Sequence, residues 1–402
     1  MAEKAVRRRR IVSLLLMFLL SLAILALPTV LRGPQSAHAQ HADAEPSPGD
    51  FPGPDASALH EALFYDSLPG GEAECRLCPR RCLLKEGETG DCRVRRNIGG
   101  KLYTLNYGRP IVPSLEPIEK APFYHFMPGH VRLCVATVGC NLRCKYCQNW
   151  HLSQRGVEDA PFLVELTPRE LVDLAVRGGA ESICFTFSEP ISFYEYMVDT
   201  ARIARERGLK TSMVSAGYIN EQPLKMLLEV LDAVKIDLKA FTEEFYEDIV
   251  YGELQPVLDT LKQIRRSGKW LEIVNLVVPT LNDDPRQLAE MCTWIRENLG
   301  PDVPIHFTRF HPTYRLTNLP PTPVESLETA HRIAREAGLR YVYVGNVPGH
   351  ELNHTYCPVC GRKVIERVYF TVTENLTQKG RCPFCGSPLA GLGLAGPLPP
   401  AE

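Results

Sequence analysis

From about residue 130 the chain alternates short apolar runs with longer stretches of helical period. The runs VRLCVATV (131–138), SICFTF (182–187), KTSMVSAG (210–217), DAVKIDLK (232–239), EIVNLVVP (272–279) and PIHFTRFH (304–311) predict six strands, and RYVYVG (340–345) predicts a seventh. Runs of this kind, bounded by turns and separated by helices, belong to parallel strands covered on both faces. The helix starts agree. In TPRELVDLAV, Thr167 is placed as N-cap, Pro168 at the first helical position and Glu170 as the partner in a capping box. In FTEEFYEDI, Thr242 caps a turn whose first positions carry Glu243 and Glu244. Repeated strand–helix units imply right-handed crossovers, hence a barrel or an open sheet, with chemistry gathered at the C-terminal strand ends.

A different pattern opens the chain. A basic head, Arg7 to Arg10, precedes an apolar run from Ile11 to Leu31, and AHAQ follows at 37–40 with the small-x-small look of a cleavage site. The run is also long enough to span a bilayer uncut, so membrane contact through residues 11–31 is one expectation. Arg8 and Arg9 ahead of Ile11 and Val12 resemble a twin-arginine export signal, with an ordinary signal or anchor as the alternative. Residues 1–40 are therefore set apart from the fold. Residues 41–70, rich in Pro, Gly, Ala and Asp, read as a flexible linker. Composition adds little to this: 45% hydrophobic residues suffice for a core, and a net charge of -2 gives no basic field for nucleic acid.

The 14 cysteines change the picture. Eleven fall in three groups: Cys75, Cys78, Cys82 and Cys92; Cys140, Cys144 and Cys147; Cys357, Cys360, Cys382 and Cys385. Disulfide frameworks serve mainly small secreted domains with little core, so clusters in a chain of this size read as metal sites. Cys134, Cys184 and Cys292 stand in apolar surroundings as small buried hydrophobes.

The middle group, in TVGCNLRCKYCQNW (137–150), has three thiols where a closed tetrahedral site needs four. Structural zinc would have to recruit Cys134 from inside a strand. A bacterial ferredoxin run has a different spacing and a proline after its last cysteine. A disulfide would leave one thiol over. The remaining reading is a four-iron cluster held by three thiolates, with the fourth iron open to a small molecule. Cys-x-x-x-Cys-x-x-Cys with Tyr146 before the last cysteine resembles the signature of the radical SAM superfamily. EPIEKAPFYHFMPG (116–129), FTFSEPISFYEY (185–196) and YVYVGNVPGHELNHTYCPVC (341–360) are similar to the group named for the AmmeMemoRadiSam system, related to pyruvate formate-lyase activating enzymes.

The resemblance spans roughly residues 72–388. It implies a partial (β/α)6 TIM-like barrel over 106–345, a 4Fe-4S cluster on Cys140, Cys144 and Cys147, and S-adenosylmethionine (SAM) on the open iron. It implies reductive cleavage of SAM and hydrogen abstraction from a substrate, in activating enzymes a protein. An electron donor such as flavodoxin or ferredoxin is implied as partner. Glu189 matches the acid of a Gly-Gly-Glu motif that holds the SAM amino group, although Phe187 and Ser188 stand where the glycines would be. Ser215 and Gly217 match a strand-end turn whose asparagine is here Ala216. Asp237 and Lys239 match a pair that lies against the ribose and carboxylate, with Lys235 on the same parity. Asn275, His306, Arg309 and His311 are further candidate wall residues, and Asn141 and Arg143 lie within the cluster loop.

The flanking groups extend the plan. Cys75, Cys78, Cys82 and Cys92, in a cysteine-rich segment over 71–105, suit zinc or a second iron–sulfur cluster. CPVCG (357–361) and CPFCG (382–386) form a zinc-ribbon pattern in a module over 346–390, with His350 and His354 nearby as substitute ligands. Residues 391–402 read as a disordered tail. The rival is a non-catalytic iron–sulfur and zinc redox carrier, which would suit an exported chain, whereas dependence on SAM suits the cytoplasm.

Overall fold

The computed structural model describes residues 59–393; the signal-like segment, most of the expected linker and the last nine residues lie outside them. Among the described residues no helix is long and apolar enough to cross a membrane. The N-terminal part forms two small antiparallel sheets. One orders β1 (His60–Glu61), β6 (Lys101–Thr104) and β5 (Arg95–Ile98); the other orders β2 (Tyr65–Ser67), β3 (Ala73–Cys75) and β4 (Leu83–Leu84). Residues 60–61 and 65–67 thus belong to sheets, which corrects the linker expected through 70. Ala62 is buried and the Phe64 ring packs edge-on against Tyr194 at 5.6 Å, so tertiary contact orders a segment of weak local preference.

The central sheet has eight strands in strictly sequential order: β7 (Ser114–Pro117), β8 (Val131–Val135), β9 (Ser182–Phe185), β10 (Lys210–Ser215), β11 (Ala233–Asp237), β12 (Trp270–Val277), β13 (Ile305–Arg309) and β14 (Val342–Gly345). β7 runs antiparallel to β8 and every other neighbouring pair is parallel. Six helices make the crossovers: α1 (Pro168–Arg177), α2 (Tyr194–Glu206), α3 (Glu221–Val230), α4 (Leu254–Arg266), α5 (Pro285–Leu299) and α6 (Val324–Glu336). Six strand–helix units, β8 to β13 each with its crossover helix, are followed by a seventh parallel strand, Val342–Gly345, which pairs onto β13.

The strand interiors explain the continuous apolar runs. All four residues of β9 are buried, and Ile183 and Phe185 are wholly so. Full burial of each such side chain stabilises the fold by roughly 1.5–3 kcal/mol relative to exposure. Thr167 caps α1 with the reciprocal Glu170 contact, and Thr242 accepts from the Phe245 N–H at 3.4 Å. A third small sheet, β15 (Thr355–Tyr356), β16 (Lys363–Val368) and β17 (Thr371–Asn375), follows β14. The expected tail is corrected at its start: the Leu392 N–H donates to the His125 carbonyl at 2.8 Å and its own carbonyl accepts from Met127 at 2.7 Å. These backbone bonds hold residues 391–393 against the loop between β7 and β8.

Candidate active site

Parallel strands deliver their C-terminal ends to one rim, where loops can gather side chains. A cavity of about 380 Å³ opens there, lined among others by Cys140, Cys144, Cys147, Glu189, Asp237 and Lys239. That volume is within the range of small-molecule sites. Each side chain arrives from a different element: the cysteines follow β8, Glu189 follows β9, Ser215 ends β10 and Asp237 ends β11.

The cysteine loop is pinned on both sides. Arg143 N–H donates to Val250 O at 3.1 Å and Lys145 N–H to Ile249 O at 2.9 Å. Leu142 N–H points at Cys140 Sγ at 3.3 Å, and Cys147 Sγ lies 3.2 Å from Ser153 Oγ. Gly139 begins the loop with φ +103°, and a Cβ there would fall 2.7 Å from the Cys92 carbonyl. Burial pushes the Cys144 thiol up to about 11 against the pull of Lys239, and pushes Cys140 well above its usual value with Glu189 adding to the effect. Such thiols stay protonated in neutral water unless a metal takes the proton's place.

Glu189 is held ready rather than free. Its carboxylate accepts from Ser215 Oγ at 2.6 Å, Ala216 N–H at 2.9 Å and Ile191 N–H at 3.2 Å. Burial raises its pKa, and these donors oppose the rise. Phe187, in the place expected for glycine, has φ +67°, a left-handed conformation that costs a bulky residue of order 1–3 kcal/mol. The Asn149 side-chain N–H donates to the Phe187 carbonyl at 2.8 Å and helps hold it there. The glycine-type backbone persists without the glycine. Gly217 does not line the cavity; its φ of +72° and its N–H bond to Ser215 Oγ at 2.9 Å make it part of the turn that aims Ser215.

Asp237 and Lys239 lie 3.5 Å apart, and Lys235 approaches Asp237 at 3.9 Å from deeper in the cavity. Burial works against the Lys239 ammonium, yet Cys144 and Asp237 hold it well above the usual lysine range. Four further polar atoms in the cavity wall are buried without a hydrogen-bond partner: Arg132 Nε and Nη1, Tyr146 Oη and Ser188 Oγ. Buried polar groups are normally paired, so a wall that leaves several unmet suits a polar ligand.

The other candidate wall residues face elsewhere. On β12 the alternation sends Val274 and Leu276 to the cavity, while Asn275 donates to the Leu238 carbonyl at 2.8 Å outside it. His306 points inward on β13 but lies below the cavity, bonded to Glu272 at 2.8 Å. Arg309 Nε donates to the Thr322 carbonyl at 2.7 Å, and His311 is exposed. The residues the sequence reading missed, Arg132 and Asn149, are ordinary in their local context. Only the fold turns them inward.

Of the other cysteine groups, Cys357, Cys360, Cys382 and Cys385 place all four sulfurs within 4.8 Å of one another. The Cys357–Cys385 and Cys360–Cys382 separations are each 3.7 Å. A tetrahedral ion with metal–sulfur bonds of about 2.3 Å has edges of about 3.8 Å, so this group could hold one metal ion. His350 and His354 are engaged otherwise: His350 pairs with Glu328 at 3.1 Å, and His354 Nδ1 accepts from Arg367 N–H at 3.1 Å. Cys75, Cys78, Cys82 and Cys92 share a separate small cavity beneath the cysteine loop. Cys134, Cys184 and Cys292 are buried.

Comparison with known proteins gives four findings. The profile of the radical SAM superfamily matches residues 134–292. An uncharacterized protein of Methanocaldococcus jannaschii, MJ0808, is 45% identical over 330 residues, covering 82% of this chain and 98% of that protein. The pyruvate formate-lyase-activating enzyme of Clostridium pasteurianum is 27% identical over 180 residues, 42% of this chain and 71% of that one. Among solved structures, a radical SAM methyltransferase from Sphaerobacter thermophilus aligns with a TM-score of 0.44 at 17% identity, over 54% of this chain and 66% of that one.

Proposed function

Because the chain belongs to the radical SAM superfamily and is related to its activating enzymes, we propose that Cys140, Cys144 and Cys147 hold a 4Fe-4S cluster that serves SAM cleavage. When bound, the cluster supplies one electron that splits SAM, and the resulting 5′-deoxyadenosyl radical takes a hydrogen atom from the substrate. One observation carries this reading. The three thiols open onto the same cavity as a buried carboxylate and an acid–lysine pair from two other strand ends.

In this proposal the protein's own groups do the positioning. Glu189, oriented by Ser215, Ala216 and Ile191, accepts the SAM ammonium. Lys239 lies where a carboxylate would be drawn away from Asp237, and Asp237 then accepts from the ribose hydroxyls. Tyr146, buried beside Lys239 and the cysteines, keeps water from the cluster's inner side. The C-terminal quartet takes zinc as a structural ion. The hydrogen donor is a protein, by relation to the activating enzymes, and a ferredoxin- or flavodoxin-type carrier is the electron source. The domain plan places the barrel at 106–345 between a cysteine-rich segment and the zinc module.

The test is product formation. The full chain, reconstituted without oxygen and given SAM with a strong reductant, is expected to form 5′-deoxyadenosine, and Cys144→Ala to form none. In parallel, Glu189→Gln is expected to weaken SAM binding by at least about tenfold, through loss of a charge-assisted bond. Full iron loading with no deoxyadenosine and no SAM binding would favour the carrier reading, since a carrier has no use for the cavity.

A further inference from the structure

Cys75 ends β3, Cys78 and Cys82 follow in the next turn, and Cys92 precedes β5. Their four side chains line one small cavity whose remaining wall is mostly apolar, Leu77, Leu84 and Ile191 among it. Nothing in the proposed reaction uses them. Two features say what kind of group they would hold.

The first is a buried cation. Arg95 is 2% exposed and lines the same cavity. Its Nη2 bonds to Glu195 at 3.0 Å and to the Leu63 carbonyl, but Nε and Nη1 have no acceptor. Unmet buried N–H groups are costly, more so on a charged side chain. A metal centre held by four thiolates carries net negative charge, and its sulfurs accept hydrogen bonds. It supplies the missing acceptors.

The second feature is the wall. Beyond the four thiols and Arg95 the cavity is lined mainly by Leu77, Leu84, Gly90 and Ile191, the kind of solvent-excluding pocket that sets the potential of a cysteine-held iron–sulfur core.

Position then supplies a role. Asn141 lines the N-terminal cavity, while Cys140, its neighbour in sequence, lines the larger one. One peptide unit divides the two sites. Arg80, two residues after Cys78, donates to the Asn141 carbonyl at 3.0 Å. Asp91, beside Cys92, pairs with Arg143 of the cysteine loop at 2.7 Å.

We propose that Cys75, Cys78, Cys82 and Cys92 hold a second 4Fe-4S cluster that passes electrons to the cluster at Cys140, Cys144 and Cys147. The proposal rests on the reading of the triad given above. With four thiolates no iron is left open, so this cluster binds no SAM and serves transfer alone. In each transfer its reduced +1 core gives one electron to the +2 core of the triad cluster, and the two exchange states. No atom or proton moves. A low-potential, one-electron carrier protein of the ferredoxin or flavodoxin class then restores the second cluster.

The experiment counts metals in the full chain after anaerobic reconstitution with iron and sulfide. The native chain is expected to hold about eight iron, and the triple variant Cys140→Ala, Cys144→Ala, Cys147→Ala about four, with matching sulfide. The reduced triple variant is expected to show an electron paramagnetic resonance signal that added SAM does not alter. Zinc without sulfide at that site in the triple variant would overturn the proposal. The relay is tested in Cys78→Ser with Cys82→Ser, which leaves the triad intact. Its remaining signal is expected to respond to SAM, and its reduction by a flavodoxin-type carrier to slow at least about tenfold. Equal rates would overturn the relay. A native chain holding only about four iron, all kept by the triple variant, would instead bring down the triad reading and the relay with it. If the alanine variant fails to fold, as judged by circular dichroism, the native chain still decides: two signals, one of them SAM-sensitive, support the proposal, and a single signal overturns it.

Discussion

At the scale of single residues, Lys235 shows what the cavity costs the fold. Its side chain is buried between Asp237, Arg132, Cys184 and Glu272, and its ammonium donates to the Ala121 carbonyl. Burial lowers its pKa from 10.5 to about 8, with Asp237 resisting the fall. That difference corresponds to roughly 3 kcal/mol of penalty while the lysine is charged in the folded chain. The sign follows from linkage. Between pH 8 and 10.5 the folded chain binds fewer protons than the unfolded one, so this residue makes stability rise with pH over that window. Lys235→Met keeps most of the volume and removes the charge, at the expense of one bond to a carbonyl. Denaturant unfolding of the variant is expected to show a gain of about 1–2 kcal/mol at pH 7, since part of the penalty is returned as the unpaired carbonyl. The gain should be full below pH 8 and fade toward 10.5. A variant less stable than the native chain by a constant amount at every pH would mean that Asp237 already offsets the burial.

At the scale of elements, the loop after β8 is fixed by contact with the N-terminal sheets as much as by its own sequence. A methyl group at Gly139 would meet the Cys92 carbonyl at 2.7 Å and both Val94 methyls at 2.9 Å. Backbone and a wholly buried valine cannot give way cheaply, and φ of +103° adds strain for any side chain. Gly139→Ala is expected to lose several degrees of melting temperature and at least about half of the iron taken up on reconstitution, because the triad and the Cys92 segment move apart together. Full iron uptake at an unchanged melting temperature would show that the loop adjusts freely. The same dependence explains what the sequence did and did not reveal. Strands buried on both faces advertise themselves as apolar runs, so β8 to β14 were legible, as were Thr167 and Thr242, whose capping chemistry is local. That Glu189, Asp237 and Lys239 face one cavity was legible by motif and by strand-end position. Asn275 was placed on the wrong face because alternation says which residues share a face but not which face is inner. His306 was placed too high, since depth within a sheet is invisible to pattern. β1 and β2 were lost in a presumed linker because their order depends on partners far along the chain, among them Glu195, which accepts from the Leu63 N–H at 2.8 Å.

At the scale of the whole molecule, the C-terminal module braces the far wall of the cavity. Its own core is five residues, Cys357, Val364, Ile365, Cys382 and Leu389, too few to hold three short strands without the proposed ion. Arg367 on β16 carries its connection to the central sheet. The guanidinium lies 4.1 Å over the Tyr124 ring, Nη2 donates to the Tyr124 carbonyl at 2.8 Å, and Nε approaches Glu119 at 3.9 Å. Glu119 is fully buried, and burial pushes its carboxyl up to about 7 despite Arg367. Between Glu119 and Tyr124 lie Lys120, Ala121 and Pro122, all three in the cavity wall. Tyr343 on β14 adds a bond to Thr355 on β15 at 3.0 Å, and His125 Nδ1 meets the Ala390 carbonyl at 2.6 Å. Removal of the ion should therefore reach the cavity in a set order. Hydrogen exchange with a zinc chelator is expected to strip protection from residues 355–375 first and to weaken it in residues 118–130. Strands β9 to β12 meet residues 118–130 through Lys235 and Glu272, yet their own parallel ladders should keep them protected. Arg367→Met is expected to reproduce the change at 118–130 with the ion in place, because it leaves Glu119 without its cation. Protection lost everywhere at once would make the chain a single cooperative unit, and an unchanged 118–130 would mean that the wall stands without the module.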